Sequence, residues 1–549
     1  MKTYKVHHDY TAKENSIIDK INIGNFVDIK KYPLKNAWIN IGGWQSWNPA
    51  FEIEPEKKQP SPVCHFIKGW NQYLVFPESQ NTPSKNILLG QFVCYLRWDD
   101  FYLVFVSAGN INRTLPPVQF IFDRKQNTVS IEICDKGNEW KTGDITAEIE
   151  IFTANSFFDC KEKLSDIFGK NHFDKIKSLG ENPGGWESWY NHYSNIDAKL
   201  IEEDLEKLYA TKNIITQESY SSIVFQIDDG WEKALGDWDY SRERFPEGFT
   251  RINEKIESKG YIPGLWIAPF IIDARSKTAT EHPDWILKNE KGKNVLAGYN
   301  PLWGQNGNFY CLDLSRDDVI SYLDDVMVNI IENWGFRYIK LDFLYAGMLY
   351  GNYTNKTASY KIYTRAIKML TARTKNKNGQ AVTYLGCGLP FELSFKYLPL
   401  SRIGCDTYEH WENKKVRMIN WNGRNEAYLN LKDSLGHALW NKIIFANDPD
   451  VIFIRSENCS LTENEKLLIA GINSMFGSQL MYSDDPGRAG DAENQLTSKI
   501  IELRKKLQGK DFGLKNIGFD TYKFSSKNGE LKGYIDLGKS RRFEIFEKE

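Results

Sequence analysis

The sequence predicts a multidomain protein of the α/β plus β class, with a (β/α)8 barrel of the TIM type at its centre. Between residues 181 and 490, short apolar runs rich in β-branched residues alternate with stretches of helical periodicity. That alternation is typical of βα units around a parallel sheet, and eight strands in about 300 residues fit such a barrel. Residues 1–165 show short alternating runs broken by turn residues, which predict an antiparallel β-sandwich.

The remaining elements follow from local patterns. Helical periodicity is clearest at residues 198–209 and 317–333. Residues 166–180 form a predicted linker, and residues 491–549 combine a helical stretch with short strands, which predict a small C-terminal antiparallel β domain. The eight predicted barrel strands, in chain order, are Gly185–Tyr190, Ser222–Asp229, Ile262–Ala268, Tyr338–Asp342, Val382–Cys387, Ser401–Asp406, Val451–Ile454 and Ser478–Ser483.

The composition excludes several classes of protein. The 549 residues include 70 Lys and Arg against 72 Asp and Glu, so binding to nucleic acid or a membrane through a basic surface is not expected. No run approaches the roughly 18 apolar residues of a transmembrane helix, and the N-terminus lacks the apolar stretch of a secretory signal. The eight cysteines are scattered without a C-x-x-C motif, which predicts free thiols in a reducing cytoplasm.

Catalytic residues of such barrels lie at the C-terminal ends of the strands and in the loops that follow them. In this sequence those positions hold carboxylates, a lysine, an arginine and aromatic residues. Aromatic residues make up 14% of the chain, which favours a carbohydrate ligand because sugar rings have apolar faces. The residues at these positions are Trp189, Tyr190, Asp228, Asp229, Trp266, Lys340, Asp342, Cys387, Arg402, Asp406, Asp484 and Asp485.

Two of the carboxylates suit chemistry at an acetal carbon. In a retaining glycosidase one carboxylate attacks while the other, about 5–5.5 Å away, protonates the leaving oxygen. Asp342 and Asp406 follow strands from opposite parts of the rim, so we expect them to face each other across a bound sugar. Lys340 lies on the same side of its strand as Asp342, where its ammonium would keep the nucleophile ionised. The acid/base partner needs a pKa raised by burial or by the first carboxylate.

Each of these residues also has a structural interpretation, because an Asp at a strand end often caps a helix or completes a turn. Asp484 and Asp485 precede a Pro-Gly pair and fit a turn as well as a site. The adjacent pair Asp228 and Asp229 is harder to explain structurally, since neighbouring carboxylates repel unless hydroxyl donors use them. The residues predicted to serve only turns, caps or packing are Asp313, Asp317, Asp448, Asp450, Trp186, Trp231 and Trp285.

Other barrel chemistries fit the sequence less well. A metal-dependent amidohydrolase needs a His-x-His pair, which none of the eight histidines forms. A Schiff-base aldolase would use Lys340, but the neighbouring carboxylate would keep that lysine protonated. No Gly-rich phosphate loop stands out. The sequence therefore predicts neither a metal nor an organic cofactor.

Seven short segments, six in the barrel and one in the N-terminal part, carry a family pattern. They are residues 43–47 (GWQSW), 225–238 (FQIDDGWEKALGDW), 261–270 (YIPGLWIAPF), 338–347 (YIKLDFLYAG), 385–388 (LGCG), 402–407 (RIGCDT) and 447–450 (NDPD). In this order they closely resemble the retaining α-galactosidases of glycoside hydrolase family 36, especially its shorter bacterial members. The family architecture, a β-supersandwich, a barrel and a C-terminal β domain, agrees with the strand pattern.

The resemblance implies roles for individual residues. Asp342 would be the nucleophile and Asp406 the general acid/base. Asp228, Asp229 and Lys340 would hold the hydroxyls on the 3-, 4- and 6-side of the sugar, where the axial 4-hydroxyl distinguishes galactose from glucose. The other pocket residues would be Arg402 and Cys387 near the 2-hydroxyl, Trp189, Tyr190 and Trp266 along the wall, and Trp47 reaching in from the N-terminal domain.

The sequence departs from the family pattern at two places. Glu187 stands where the family commonly has Cys in Trp-Cys-Ser-Trp, and Glu409 and His410 stand where smaller residues are expected. We expect both changes to lie on the leaving-group side of the site. There they would alter the preferred aglycone or favour a positive or strongly polar group.

Taken together, the residues and the resemblance predict an intracellular, retaining exo-α-galactosidase that acts on small α-galactosides of the melibiose or raffinose type. Its oligomeric state is open. The alternatives are a relative with altered specificity, such as an α-N-acetylgalactosaminidase or a β-L-arabinopyranosidase, and a sugar-binding protein without hydrolytic activity. Cys387 favours a plain 2-hydroxyl over a 2-acetamido group. The presence of both Asp342 and Asp406 argues against a protein that only binds.

Overall fold

A ring of parallel strands forms the centre of the protein, which confirms the predicted barrel. The computed structural model describes residues 1–7, 17–60, 74–77, 79, 81–133, 141–169, 179–218, 220–300, 303, 307–412, 426–488 and 490–548. Within these residues the barrel strands are Pro183–Glu187, Ser222–Ile227, Ile262–Ile267, Tyr338–Leu341, Thr383–Gly386, Leu400–Arg402, Ala446–Asp448 with Val451–Ile452, and Leu480–Tyr482. Each strand pairs with its neighbours in this order, and the last returns to the first.

The seventh strand differs most from the prediction, because it begins at Ala446 and consists of two pieces. Its first piece pairs with the sixth strand and its second piece with the eighth. The break falls at Pro449 and Asp450: proline has no N–H to donate to a ladder, and Asp450 adopts a φ of 77°. The ring closes across this break, which turns the Asp450 carboxylate into the barrel interior, as described below.

The first barrel strand ends at Glu187, earlier than predicted, and a short helix follows at once. This helix, Trp189–His192, carries the predicted pocket residues Trp189 and Tyr190. Other helices cover the outside of the barrel; Ala198–Ala210 begins where the side chain of Asp197 accepts a hydrogen bond from the backbone of Leu200. The remaining helices of this part are Ile214–Gln217, Phe249–Ser258, Lys277–Glu281, Asp317–Val328 with a π-helical end at Asn329–Asn333, Ser359–Leu370, Phe391–Ser394, Ala427–Gly436 and Glu463–Phe476.

Loops after the second and third strands carry short antiparallel pairs and 3-10 turns. The pairs join Glu232–Ala234 to Asp237–Tyr240, and Asn308–Cys311 to both Ile271–Ile272 and Leu296–Tyr299. Gly230, which follows the pair of aspartates, has a φ of 114°, and a side chain there would meet the Ser194 carbonyl oxygen at 2.4 Å. Only glycine fits that turn. The 3-10 turns of the barrel part are Pro283–Trp285, Leu344–Met348 and Ala438–Trp440.

Two antiparallel sheets form the N-terminal part, as predicted. The strands, in sheet order, are Lys2–His7, Ile145–Ala154, Phe101–Ser107, Val93–Trp98, Trp38–Asn40 and Glu52–Ile53 in one sheet and Ile17–Asn22, Thr128–Ile133, Val118–Asp123 and Ile87–Gln91 in the other. The apolar run from residue 86 to 96 is therefore two strands in different sheets, divided at Phe92, whose φ is 59°. The helices of this part are Ile23–Asn25 and Leu34–Asn36, both 3-10, and Gly109–Asn112 and Phe157–Phe168.

Hydrogen bonds fix the N-terminal part against the barrel mouth. Asn40 donates to the carbonyl of Gly436 at 3.1 Å, and His437 lies 2.8 Å from the carbonyl oxygen of Gly42. The buried Glu392 accepts hydrogen bonds from Ser107, Asn110 and the backbone of Val118. These contacts hold the segment of residues 40–48, and with it Trp47, in one position relative to the barrel.

The C-terminal part consists of the helix Asp491–Leu507 and a four-stranded antiparallel sheet, as predicted. Its strands are Phe512–Gly518, Thr521–Ser526, Leu531–Asp536 and Arg542–Glu547, paired in chain order. Arg541 bridges this sheet to Glu465 on a barrel helix at 2.6 Å. Among the helices of the described residues, none combines the length and the apolar character that a membrane span requires.

Candidate active site

The C-terminal ends of the barrel strands bring most of the predicted site residues into one place. Asp228 and Asp229 follow the second strand, Lys340 lies within the fourth, Asp342 follows it, and Arg402 ends the sixth. All five side chains are buried, which is unusual for charged residues unless they are paired. The contacts described below supply those partners.

Two hydrogen-bond donors fix the carboxylate of Asp342. Trp266 donates its indole N–H to Oδ2 at 2.9 Å, and the backbone N–H of Phe343 donates to Oδ1 at 2.7 Å. Phe343 has a φ of 53°, a strained conformation for a bulky residue that is typical of functional sites. Two donors on opposite oxygens hold a carboxyl group in one orientation. Asp342 is thus fixed in position within the site.

Lys340 pairs with Asp228 rather than with Asp342. Its Nζ lies 2.9 Å from Asp228 and 3.6 Å from Glu187. Burial acts to lower the pKa of Lys340, but these carboxylates outweigh it and raise that pKa well above its usual value. Lys340 is therefore a permanent cation whose direct partner is Asp228.

Glu187 corrects an expectation, because it does not lie on the leaving-group side. It is 2% exposed inside the barrel, where it faces Lys340 and accepts a hydrogen bond from Gln226 at 3.2 Å. Burial raises the pKa of Glu187 to about 8, against the opposing charge of Lys340. Glu187 is therefore mostly protonated near neutral pH, beneath the site rather than beside its entrance.

Asp229 pairs with a residue that the sequence analysis does not single out. The indole N–H of Trp303 donates to Oδ2 of Asp229 at 2.7 Å. Burial, with the nearby carboxyl of Glu232 as the next cause, raises the pKa of Asp229 well above its usual range. Trp303 comes from the loop between the third and fourth strands, and no local motif marks it as a site residue.

Arg402 is the centre of a second buried network. Its guanidinium lies 3.1 Å from Asp448, 2.7 Å from Asp450 and 3.3 Å from Asp406. Asp448 and Asp450 are predicted to be turn residues, and Asp448 does accept a hydrogen bond from the Asp450 backbone at 3.2 Å. The prediction misses that both carboxylates are also about 1% exposed and bind Arg402. Asp450 also accepts hydrogen bonds from the Tyr190 hydroxyl at 2.7 Å and the Thr407 backbone at 2.8 Å.

Asp406 differs from the other members of this network because its side chain remains 32% exposed. Burial is the largest cause that raises the pKa of Asp406, to about 7, and the charge of Asp450 is the next. Arg402 and Lys340 act in the opposite direction. Asp406 is therefore partly protonated near neutral pH while it is still accessible to a ligand.

The number of charges explains why some carboxyl groups stay protonated. Two cations, Lys340 and Arg402, form ion pairs with five carboxyl groups. Ionising all five in a buried site would leave uncompensated negative charge, which is costly in a low dielectric. Glu187 and Asp406 are the carboxyl groups that keep a proton, because their pKa values are raised to about 8 and about 7. The site therefore combines a carboxyl group in a fixed orientation, Asp342, with a proton donor, Asp406.

Aromatic side chains surround Asp342. The half-buried Trp47 packs edge-on against Phe343, with ring centroids 4.9 Å apart, and Trp303 packs against the same ring at 5.1 Å. Trp266 is buried, and its ring lies 6.3 Å from that of Trp303. These rings form apolar walls, as a site for a sugar ring requires.

The other predicted pocket residues lie on the first and fifth strands or just after them. Trp189 is half-buried and packs against Tyr193, with ring centroids 5.2 Å apart. Tyr190 is buried and reaches the site through its hydrogen bond to Asp450. Cys387 is buried after the fifth strand, and its electrostatic neighbours include Asp342 and Arg402.

The remaining sequence candidates have structural roles. Asp484 accepts hydrogen bonds from the backbones of Ile454 and Arg455, which ties the eighth strand to the loop after the seventh. Asp485 accepts from the Gly487 backbone and completes a turn. The residues predicted to serve packing, Trp186, Trp231 and Trp285, are all buried. No group of three or more His, Cys, Asp or Glu arranged to hold a metal ion occurs among the described residues.

Comparison with known sequences covers part of the site: Asp229 and Asp342 lie within the matched residues, whereas Asp406 lies beyond them. The family profile described as melibiase matches residues 191–370. Alpha-galactosidase AgaA of Geobacillus stearothermophilus is 28% identical over 161 residues, 27% of this chain and 20% of that protein. Alpha-galactosidase Mel36A of Lactobacillus acidophilus is 27% identical over 176 residues, 31% of this chain and 21% of that protein. The matches thus span about a fifth of the length of these two curated relatives.

Comparison with solved structures covers more of the chain. TtGalA, an alpha-galactosidase from Thermus thermophilus in complex with stachyose, superposes with a TM-score of 0.68 at 25% identity, covering 85% of this chain and 90% of that one. The GH36 alpha-galactosidase AgaA of Geobacillus stearothermophilus superposes with a TM-score of 0.59 at 15% identity, covering 92% of this chain and 67% of that one. The similarity therefore extends over the N-terminal sheets as well as the barrel.

Proposed function

We propose that this chain is a member of glycoside hydrolase family 36 and a retaining exo-α-galactosidase that removes terminal α-D-galactosyl groups from small galactosides. The observation that carries the proposal is the contrast between the carboxyl groups of Asp342 and Asp406. Two hydrogen-bond donors fix the carboxyl group of Asp342 in one orientation, while the pKa of Asp406 is raised to about 7. A retaining glycosidase needs one carboxyl group placed for attack and a second that can donate a proton at the start of its reaction.

In the first step of the proposed reaction, Asp406 gives its proton to the glycosidic oxygen while Asp342 attacks the anomeric carbon. The bond between that carbon and the leaving oxygen breaks, and a covalent β-galactosyl ester forms on Asp342. The donors to Asp342, Trp266 and the Phe343 backbone, keep one carboxylate oxygen aimed at its target and limit the motion needed at the moment of attack.

In the second step Asp406, now ionised, removes a proton from water, and the water oxygen attacks the same carbon. The ester to Asp342 breaks, the product leaves with its original α configuration, and both carboxyl groups return to their first protonation states. A pKa of about 7 suits both roles of Asp406, because the protonated and the ionised carboxyl groups are then both populated near neutral pH.

Recognition of galactose is assigned to the second and fourth strands. Asp228 and Lys340, paired at 2.9 Å, offer a charged acceptor and a charged donor side by side, which suits a pair of neighbouring sugar hydroxyls. Asp229, fixed by Trp303 at 2.7 Å, adds a third polar group. We assign these groups to the 3-, 4- and 6-hydroxyls, and Arg402 with Cys387 to the side of the 2-hydroxyl.

Release of 4-nitrophenol from a panel of glycosides, with EDTA present, tests this function. The panel comprises the 4-nitrophenyl α-galactoside, α-N-acetylgalactosaminide, α-glucoside and β-L-arabinopyranoside. We expect the α-galactoside to have the highest kcat/KM. The arabinopyranoside lacks the 6-hydroxymethyl group and should be at least roughly 10-fold poorer, because a polar group assigned to the 6-hydroxyl would be left without its partner. A preference for the acetamido sugar would contradict the assignment of Cys387, and no turnover of any glycoside by folded protein would contradict the function.

The Asp450→Asn variant tests whether the charge of Asp450 raises the pKa of the acid/base residue Asp406. Asparagine keeps an oxygen to accept from Tyr190 and Thr407 but removes the negative charge that raises the pKa of Asp406. Glycosylation needs protonated Asp406, so kcat/KM falls as the pH rises through this pKa. In the variant we expect the alkaline limb of the profile of kcat/KM against pH to move to lower pH. A limb that stays in place or moves to higher pH would contradict this role of Asp450.

A further inference from the structure

Glu187 lies among the groups assigned to galactose, at a position where the family pattern has a cysteine. It is the partner of Gln226 in the parallel pairing of the first two barrel strands, and Asp228 follows two residues after Gln226. Lys340 approaches from the fourth strand. The other departure from the pattern, Glu409, is instead paired with an arginine at 2.6 Å. Glu187 is therefore the departure that bears on the recognition of galactose.

Glu187 and Asp228 share the same two hydrogen-bond donors. The Nζ of Lys340 lies 2.9 Å from Oδ2 of Asp228 and 3.6 Å from Oε2 of Glu187. The side-chain amide of Gln226 donates to the same two oxygens, at 2.7 Å and 3.2 Å respectively. Both donors are thus closer to Asp228. The geometry is that of a competition between two carboxyl groups, in which Asp228 holds the shared donors.

The outcome of this competition depends on the charge of Glu187. Its Oε1 is buried and has no hydrogen-bond partner among the described residues, which favours a neutral carboxyl group because a buried charge without a donor is costly. A neutral acid attracts an ammonium group less than a carboxylate does, so Lys340 stays with Asp228. Once ionised, Glu187 attracts Lys340 and the Gln226 amide as strongly as Asp228 does.

Glu187 is the member of this cluster that changes its charge just above neutral pH. Burial raises its pKa to about 8 and outweighs the two cations that act in the opposite direction. Both tyrosines nearby stay neutral, because burial raises their pKa values well above the usual range. The ionisable groups within electrostatic reach of Glu187, in chain order, are Tyr190, Asp228, Tyr338, Lys340, Arg402 and Asp450.

We propose that Glu187 is a positioning residue for galactose: as a neutral acid it leaves both shared donors to Asp228, and as an anion it withdraws them and weakens the sugar site. This inference rests on the proposed function and deepens it, because it adds a control of affinity at the assigned 3-, 4- and 6-hydroxyls. Galactose and the proton on Glu187 then favour each other's binding. Affinity is therefore retained below the pKa of Glu187 and lost as the pH rises through it.

Calorimetric titration of the wild type with D-galactose tests this role without turnover. We expect the Kd to rise about tenfold between pH 7 and pH 9, since the neutral fraction of a group with a pKa of about 8 falls by that factor. Near pH 8 about half of the free protein carries ionised Glu187, so binding should take up roughly half a proton per galactose. The dependence of the heat on the ionisation enthalpy of the buffer measures this uptake.

The Glu187→Gln variant keeps the size of the side chain and cannot ionise. We expect its affinity at pH 7 to be close to that of the wild type, its Kd to rise far less towards pH 9, and its proton uptake at pH 8 to be about half a proton smaller. Asp229 and Asp406, whose pKa values are also raised, are present in both proteins, so the difference reports Glu187.

The matched control is Glu218→Gln. Glu218 forms a similarly buried pair with Arg504 at 2.9 Å and lies before the second strand, at the opposite end of the barrel. This variant should keep the wild-type dependence of Kd on pH. Glu187→Cys keeps the test decisive if Glu187→Gln does not fold, because burial keeps a thiol neutral and the Kd should again rise far less.

Two sets of results would contradict the inference in different ways. A Kd that does not change with pH in the wild type, or that rises equally in the wild type and in the Glu187 variants, would overturn this role of Glu187 and leave the proposed function intact. Failure of the folded wild type to bind galactose and to hydrolyse any galactoside would overturn the proposed function, and this inference with it.

Discussion

Replacing Asp342 by Asn removes turnover of every galactoside, with kcat expected to fall by about 10⁴-fold or more, the scale of losses when a nucleophile is removed. Asparagine keeps the shape of the side chain and one oxygen for the donors Trp266 and Phe343, so the fold and the galactose pocket should persist. Initial rates on 4-nitrophenyl α-galactoside and on melibiose measure the loss. Asp317→Asn is the control, because that carboxylate lies at a barrel helix start, 88% exposed. Near-normal kcat in Asp342→Asn would show that this assignment is wrong.

Chemical rescue separates the loss of a nucleophile from the loss of structure. In Asp342→Gly, space replaces the carboxylate, and added azide should attack an activated α-galactoside from the vacated side. The expected product is β-galactosyl azide, with a configuration opposite to that of the substrate, because only one displacement has occurred. An α-galactosyl azide, or no azide adduct in a folded variant that binds galactose, would contradict attack by Asp342.

Replacing Asp406 by Ala makes the rate depend on the leaving group. A sugar leaving group needs protonation, so kcat/KM for melibiose should fall by about 10²–10⁴-fold, the usual contribution of general acid catalysis. The 2,4-dinitrophenolate of an activated aryl galactoside leaves without a proton, and its kcat/KM should change little. Hydrolysis of the intermediate still lacks its general base, so kcat should fall and a burst of dinitrophenol should precede slow turnover.

The two substrates act as controls for each other in this variant. General damage to the site would lower kcat/KM for the aryl galactoside and for melibiose to the same extent. Equal losses, without a burst, would contradict the role of Asp406 as acid/base and leave it as a structural partner of Arg402.

Much of the barrel is predictable because its strands are buried on both faces and read as continuous apolar runs between helical stretches. The seventh strand is the exception. Its first piece, Ala446–Asp448, contains an Asn and an Asp and resembles a turn, and its break at Asp450 depends on tertiary contacts. Hydrophobic periodicity does not detect a strand whose polar side chains are buried by partners from elsewhere in the chain.

The same limit applies to the site. Asp342 and Asp406 are identified by their positions at strand ends, because the barrel topology alone brings such positions together. Asp450 and Trp303 are not, since their importance comes from single contacts to Arg402 and to Asp229 that no local spacing encodes.

Glu187 illustrates how an error of three residues in a predicted strand end changes an interpretation. The predicted strand runs to Tyr190, which would carry Glu187 in the middle of the strand, with Trp189 near its end. The strand ends at Glu187 itself, and the carboxyl group lies within the barrel beside Lys340. The alternation of a strand indicates on which side a residue lies, but not how deep it lies along the barrel axis.

Trapping the covalent intermediate is the most direct test of the account. The wild type, incubated with 5-fluoro-α-D-galactosyl fluoride, digested and analysed by mass spectrometry, should carry one 5-fluorogalactosyl group on the peptide that contains Asp342. The label should disappear when the inactivated protein is left to hydrolyse and activity returns. A label on a peptide containing another carboxylate, or turnover of the reagent with no labelled peptide at any time, would contradict a double displacement through Asp342.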